Sequence, residues 1–302
     1  MSVLLAPFPP AVAAAEPVSR QVEVPAPSSW RTRAGAPPEA TWTIAGLCWE
    51  PAVLTADAVT TGRRPPIVLV HGLGVAAGLC APVARRLAAT GTVLTPDLPG
   101  YGRSSKPDPV PDIAELGTSV ASWLPAVVTE PAVLVGVSLG CQVVLETAAQ
   151  APDWVSSVVL ASPIVDPARR RWRSQLWRWQ LEQATQSVRL KRLQLTDYRR
   201  AGVGRVLRSF SAALADRPED RIGHVDAPVL VCRGTRDPLV SDEWAARLRR
   251  LAPHARLARL PGVVHAMSHD NPVEFARVIL GFLDQVAASR KGDAGAHTEV
   301  PG

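Results

Sequence analysis

A serine held between two glycines at the end of an apolar run constrains this chain more than any other feature. Gly136-Val137-Ser138-Leu139-Gly140 follows Ala132-Val133-Leu134-Val135 and opens the helix-like run Cys141-Gln142-Val143-Val144-Leu145-Glu146-Thr147-Ala148. A strand that turns sharply into a helix forces the residue at its tip into strained backbone geometry. Side chains at the flanking positions would clash, so glycine stands there. The hydroxyl then projects at the end of a sheet, beside the N–H groups that open the helix and favour negative charge. This pattern reads as a nucleophile elbow. Three fixed positions in five also suit an ordinary glycine-rich turn, so the reading rests on the strand before the motif and the helix after it.

A serine hydroxyl attacks only when a base takes its proton and a third group orients that base. The acid is expected at Asp237, in Pro228-Val229-Leu230-Val231-Cys232-Arg233-Gly234-Thr235-Arg236-Asp237-Pro238, a strand that runs into a turn. The base is expected at His265, in Leu260-Pro261-Gly262-Val263-Val264-His265-Ala266, again a short apolar segment around a turn. Asp166, which follows the strand-like Ser157-Val158-Val159-Leu160-Ala161, is the alternative acid.

The order Ser138, Asp237, His265 is that of the α/β-hydrolase fold. From about Ile67 to Leu283 the chain resembles that superfamily, in its cap-bearing, esterase-like form. Four blocks carry the resemblance: His71-Gly72-Leu73-Gly74 after strand-like Pro66-Ile67-Val68-Leu69-Val70; Asp97-Leu98-Pro99-Gly100-Tyr101-Gly102-Arg103-Ser104; the Ser138 elbow; and the Asp237 and His265 segments. Pro272 and Phe275 fit the usual tail. Cys141 departs from the glycine or alanine of many relatives, but it is still small. The resemblance implies catalytic roles for Ser138, Asp237 and His265, and an oxyanion hole formed by the backbone N–H groups of Leu73 and Leu139. It implies an α/β architecture whose mostly parallel central sheet is covered by helices on both faces, with a helical cap over the site. The implied activity is serine hydrolysis of a small carboxylic ester or related acyl compound, without cofactor. Carbon–carbon, lactone or thioester hydrolysis, haloperoxidase-like chemistry and a slow-turnover ligand receptor share the scaffold.

The other polar candidates carry weaker readings. His71 stands at the mouth of the expected site, where it either fixes its loop or touches substrate. His269 lies four residues past His265, a metal-ligand spacing, but no third ligand accompanies the pair, and no metal site is expected. His224 and His254 are expected at the surface, and His297 in the tail. Asp97 is expected to hold the Pro-Gly-Tyr-Gly turn.

Strands are expected at Thr41–Cys48, Ala52–Val59, Pro66–Val70, Thr92–Thr95, Ala132–Val137, Val155–Ala161, Pro228–Cys232 and Ala255–Leu260. Helices are expected at Ala77–Thr90, Asp112–Val128, Cys141–Ala149, Asp242–Leu251 and Pro272–Val286. This alternation argues for a mostly parallel sheet. Pro163 to Gly223 breaks the rhythm with Arg, Leu and Trp and no strand; it is the expected cap, residues 163–223. Trp172, Leu176 and Trp179 share a helix face there. Either Trp172 and Trp179 wall a substrate pocket, with a nearby arginine binding an anionic group, or the tryptophans pack the cap onto the main domain and the arginines are simply solvated; a membrane-surface role for this basic amphipathic stretch is the minor alternative.

The 302 residues are 47% hydrophobic, enough for one large domain, expected over residues 39–289. Residues 1–38, rich in Pro and Ala, and residues 290–302 are expected as flexible tails. No basic n-region precedes the first apolar stretch, so it does not read as a signal peptide. The net charge of +6 comes mostly from arginine and lacks any helix-turn-helix, zinc or RNA-binding signature, so no nucleic acid is expected. No apolar run is long enough to span a bilayer, and no stable membrane association is expected. The four cysteines match no zinc or redox spacing and read as free thiols, which points to a cytoplasmic protein.

Overall fold

The computed structural model describes residues 16–50 and 64–296. Its centre is an eight-stranded sheet: β1 (Val18–Pro25), β2 (Thr41–Trp49), β3 (Ile67–Val70), β4 (Val93–Pro96), β5 (Ala132–Val137), β6 (Val155–Ala161), β7 (Val229–Gly234) and β8 (Ala255–Leu260). In space the order is β1-β2-β4-β3-β5-β6-β7-β8. The β1/β2 and β2/β4 pairs are antiparallel, and every other pair is parallel.

Every residue of β3, β4, β5 and β6 is buried, as expected of parallel strands covered on both faces. Alternate side chains of β3 divide between two cores. Val68 and Val70 join one with the helices Ile113–Val127, Gly140–Gln150 and Asp242–Leu251, while Ile67 and Leu69 join the other with Ala81–Leu87 and Pro272–Ala296. Asp112 starts the Ile113–Val127 helix with a full capping box: its carboxylate accepts from the Glu115 N–H, and Glu115 accepts from the Asp112 N–H. The expected Ala77–Thr90 helix is shorter, a 3₁₀ turn at Ala77–Leu79 followed by Ala81–Leu87, with Pro82 in its first turn.

Two expectations about the ends change. Residues 1–38 are not wholly a tail: β1 pairs with β2 from Val18↔Cys48 to Pro25↔Thr41, and a helix follows at Ser28–Ala34. Burial fixes them, since Val24 and Trp30 enter the core, Trp30 meets Trp42 edge-on at 5.1 Å, and its indole N–H donates to the Pro109 carbonyl. At the other end the last helix runs on to Ala296 rather than stopping near Val286. Arg290 fastens it by donating to the Ser156 carbonyl at 3.0 Å. The expected strand Ala52–Val59 lies outside the described residues, as do residues 1–15 and His297.

Residues 163–223 form the expected helical insertion, chiefly the helices Trp172–Thr185, Val188–Ala201 and Val203–Ala215. Polar clamps hold it over the ends of the strands. Ser187, the N-cap of the second helix, binds both oxygens of Asp270; Lys106 donates to the Arg200 carbonyl, Arg205 to the Pro107 carbonyl, and Gln142 to the Ala213 carbonyl. The four cysteines are buried and free.

Candidate active site

Ser138 occupies the left-handed backbone region at φ +56°, where a non-glycine residue is strained. The glycines around it are required by close approach. A side chain on Gly136 would overlap the Gly140 backbone, and one on Gly140 would overlap the Val70 and His71 carbonyls. Gly72 lies against the serine itself: a β-carbon there would stand 3.1 Å from Ser138 Cβ and 3.2 Å from the Val137 carbonyl. The loop after β3 is thereby brought beside the hydroxyl, with Leu73 next in line. Cys141 sits under the elbow, its thiol within reach of the Gly136 and Ala161 carbonyls at 3.1 and 3.3 Å, and burial pushes its pKa well up.

Three sheet ends converge here. Ser138 Oγ lies 3.0 Å from His265 Nε2, and His265 Nδ1 lies 2.8 Å from an oxygen of Asp237. The other Asp237 oxygen accepts from the backbone N–H groups of Leu239 and Val240 at 2.8 and 3.2 Å. Burial works to raise the Asp237 pKa, but the charge and hydrogen bond of His265 outweigh it and hold the carboxyl below the usual aspartate range. Burial likewise works against the imidazolium. The charge and hydrogen bond of Asp237, aided by the charge of Glu182, outweigh it and raise His265 above the ordinary histidine value. Asp166, the alternative acid, is engaged elsewhere: it accepts from Ser241 Oγ at 2.8 Å and from the Ala168 N–H at 3.0 Å.

His71 does not reach the cavity. It is fully buried, with Nδ1 2.8 Å from the Gly72 carbonyl and Nε2 accepting from the Leu98 N–H at 2.9 Å. Both ring nitrogens are spent on joining two loops, and burial depresses its pKa, so the ring is a neutral strut rather than a substrate ligand. Asp97 accepts from the Ala77 and Arg103 N–H groups, and Gly102 packs against its carboxylate. His269 pairs with Asp270 at 2.7 Å, the carboxylate that also holds Ser187. The segment carrying His265 is thus tied to the cap.

A cavity of about 310 Å³ lies above Ser138, between the sheet ends and the cap. Trp172 and Trp179 line it, together with Tyr198, Val206 and Phe210. The arginine of the anion-binding expectation is not there. No arginine lines the cavity among the described residues, and Arg178 instead donates to the Pro238 carbonyl. The ionisable lining groups besides Tyr198 are His265 and Glu182.

Glu182 escaped the sequence reading. It is buried beside His265, and that burial lifts its pKa above the ordinary glutamate range, with the His265 charge as the chief opposing influence. Gln175, Trp179 and Glu182 recur at i, i+4 and i+7, one face of the Trp172–Thr185 helix, and line the cavity together with Gln186 just past its end. That spacing was visible in the sequence; the tryptophans beside it drew the inward face to themselves.

Residues 67–278 match the alpha/beta hydrolase family. This chain belongs to that family. It is 27% identical over 262 residues to a 2-(acetamidomethylene)succinate hydrolase of Mesorhizobium japonicum, covering 76% of this chain and 92% of that one. It is 38% identical over 102 residues to a pimeloyl-[acyl-carrier protein] methyl ester esterase of Pseudoalteromonas atlantica, covering 33% of this chain and 38% of the esterase. An abhydrolase domain-containing protein of Caenorhabditis elegans is 38% identical over 102 residues, covering 32% of this chain and 23% of its own length. The chain therefore spans well under two thirds of these last two relatives. Among solved structures, a bacterial membrane phospholipase A superposes with a TM-score of 0.71 at 22% identity, covering 90% of this chain and 87% of that chain. A thermophilic esterase from Thermogutta terrifontis superposes with a TM-score of 0.68 at 18% identity, covering 88% and 99%. At these identities the structural likeness establishes the fold.

Proposed function

We propose that this protein hydrolyses a small, uncharged carboxylic ester or related acyl compound through an acyl-enzyme. The observation that carries the reading is the hydrogen-bonded line from strained Ser138 through His265 to buried Asp237. Ser138 Oγ attacks the acyl carbon while His265 Nε2 takes its proton; the carbonyl π pair moves to oxygen. As the tetrahedral intermediate collapses, the bond to the leaving group breaks and His265 returns the proton to that group. A water molecule, deprotonated by His265, then attacks the acyl-enzyme and releases the acid and the free serine. Asp237 holds the Nδ1–H tautomer and stabilises the imidazolium.

The N–H groups of Leu139 and Leu73 are the oxyanion donors in this reading. Leu139 opens the elbow helix, and Leu73 follows the glycine that abuts Ser138. Losing one such donor costs about 3 kcal/mol of transition-state stabilisation. The names of the esterase and hydrolase relatives agree with acyl or amide substrates. The apolar lining, with Glu182 and no arginine, favours uncharged substrates over anionic ones. The four free thiols agree with a cytoplasmic setting.

The test combines a panel of chromogenic esters of increasing acyl length with labelling by a fluorophosphonate. Turnover of short to medium esters, together with labelling that Ser138→Ala abolishes, is the expected result. Labelling without turnover of any ester would move the reading to another acyl bond or to a ligand receptor. Absence of both would overturn it.

A further inference from the structure

The first cap helix leaves its large apolar side chains exposed. Within Trp172–Thr185 the buried residues are Gln175 and Glu182, whereas Trp172, Leu176, Trp177, Trp179 and Leu181 are 39–62% exposed. Trp172 and Trp179 line the cavity beside Gln175 and Glu182, whereas Trp177 and Leu181 lie outside it on the exposed surface. Soluble surfaces scatter single apolar residues, but a clustered apolar face marks an interaction site. Among the described residues, nine of the eleven exposed large hydrophobic ones belong to the insertion, among them Val203 and Leu207 of its third helix. Five of the nine also line the cavity, so its mouth opens within this apolar surface.

Charge follows the same division. Residues 163–223 hold 14 Lys and Arg against 6 Asp and Glu, a net +8, while the whole chain is +6 and the remainder is therefore −2. Several cap arginines are spent internally: Arg170 pairs with Glu219, Arg221 with Glu146 and Asp216, and Arg178 and Arg205 bind carbonyls. Among the described residues, exposed Arg173, Arg189, Lys191, Arg192 and Arg208 pair with no carboxylate. Arg173 adjoins Trp172 and Arg208 adjoins Leu207, both at the mouth of the cavity.

We propose that the cap, over residues 172–208, is a docking surface for anionic lipid bilayers, with its exposed Trp, Leu and Val side chains entering the headgroup boundary and its unpaired arginines meeting lipid phosphates. An amphipathic basic surface with Trp and Leu on its apolar side matches that chemistry. A second copy of the chain is disfavoured because two such basic faces repel. Nucleic acid is disfavoured because exposed leucines and valines have no base to stack on. The contact is a reversible one, as no described helix is long and apolar enough to cross a membrane. It lets an apolar substrate pass from lipid to cavity without crossing water, and it does not rest on the serine mechanism.

The test is co-sedimentation of the full chain with phosphatidylcholine vesicles, with and without phosphatidylglycerol, while tryptophan emission is recorded. Binding to the anionic vesicles alone, reversed by salt and accompanied by a blue shift, is expected. Each arginine near such a surface contributes about fivefold to binding, so Arg173→Gln with Arg208→Gln should weaken partitioning on the order of tenfold or more. Trp177→Ser with Leu181→Ser, on residues outside the cavity, should weaken partitioning and reduce the blue shift while leaving turnover of a short soluble ester unchanged. Ser138→Ala should bind vesicles like the wild type, which separates this proposal from the catalytic one. Equal binding to neutral vesicles, or no vesicle binding, would overturn it. So would anisotropy showing duplex DNA bound by these arginines, or a dimer dissolved by the Trp177/Leu181 pair of substitutions.

Discussion

Ser138 Oγ and His265 Nε2 stand 3.0 Å apart although 127 residues of chain separate them. If that hydrogen bond is the proton path, Ser138→Ala should lower kcat on the order of 10³-fold or more, with little change in the thermal melting profile. Steady-state kinetics on the best ester of the panel measures the loss. Near-normal turnover in this variant would remove the acyl-enzyme from consideration.

The acid assignment can be read from two asparagine substitutions. Asp237→Asn removes the charge that fixes the His265 tautomer and should cost about 10³–10⁴-fold in kcat. Asp166→Asn touches a carboxylate that serves Ser241 and the Ala168 N–H, so its effect on kcat should be far smaller. A reversed ranking would transfer the acid role to Asp166.

The pH profile follows from the charges around His265. The base must be neutral to accept the serine proton, and its pKa is raised, so kcat/KM should rise with pH along a one-proton limb with its midpoint above the ordinary value of about 6.5. The ionisable groups facing the ring are Asp237, hydrogen-bonded to it, and Glu182, across the cavity. An anionic Glu182 stabilises the imidazolium, so Glu182→Gln should move the midpoint to lower pH. His269→Ala should leave it in place, and His265→Ala should abolish activity and limb together. An unmoved midpoint in Glu182→Gln would show that this carboxylate does not act on the base.

The elbow glycines separate stability from activity. Gly140→Ala drives a β-carbon into the Val70 carbonyl, a backbone group that cannot rotate away, and should destabilise the fold by about 3 kcal/mol in urea unfolding. Gly72→Ala meets Ser138 Cβ at 3.1 Å, a contact relieved by a shift of a few tenths of an ångström. It should keep the fold and lower kcat, because the same shift moves Leu73 away from the serine. If Gly72→Ala retains full kcat, the Leu73 N–H is not an oxyanion donor.

Local pattern announced the elbow and the parallel core, and the resemblance to the α/β-hydrolase order singled out Asp237 and His265 as the expected partners of Ser138. Each is announced within a few residues by an apolar strand, a glycine or proline turn and a polar residue at the strand end, and backbone sterics leave such a sequence little choice. The terminal pieces were legible in part. Val22 and Val24 alternate with Gln21 and Glu23 as a half-buried strand does, yet the surrounding prolines and alanines hid β1, and only its pairing with β2 made it part of the sheet. The tertiary structure alone decided what faces what in the cap. The Trp172–Thr185 helix offers an apolar and a polar stripe, and burial normally takes the apolar one. Here Gln175 and Glu182 are buried in the cavity roof, while Trp172 and Trp179, which line the same cavity, stay partly exposed. His71 was settled the same way, its nitrogens claimed by Gly72 and Leu98, which lie on two different loops. Periodicity tells which residues share a face. Which face turns inward is a free-energy balance over partners distant in sequence, and those partners exist only once the sheet has brought its strand ends together.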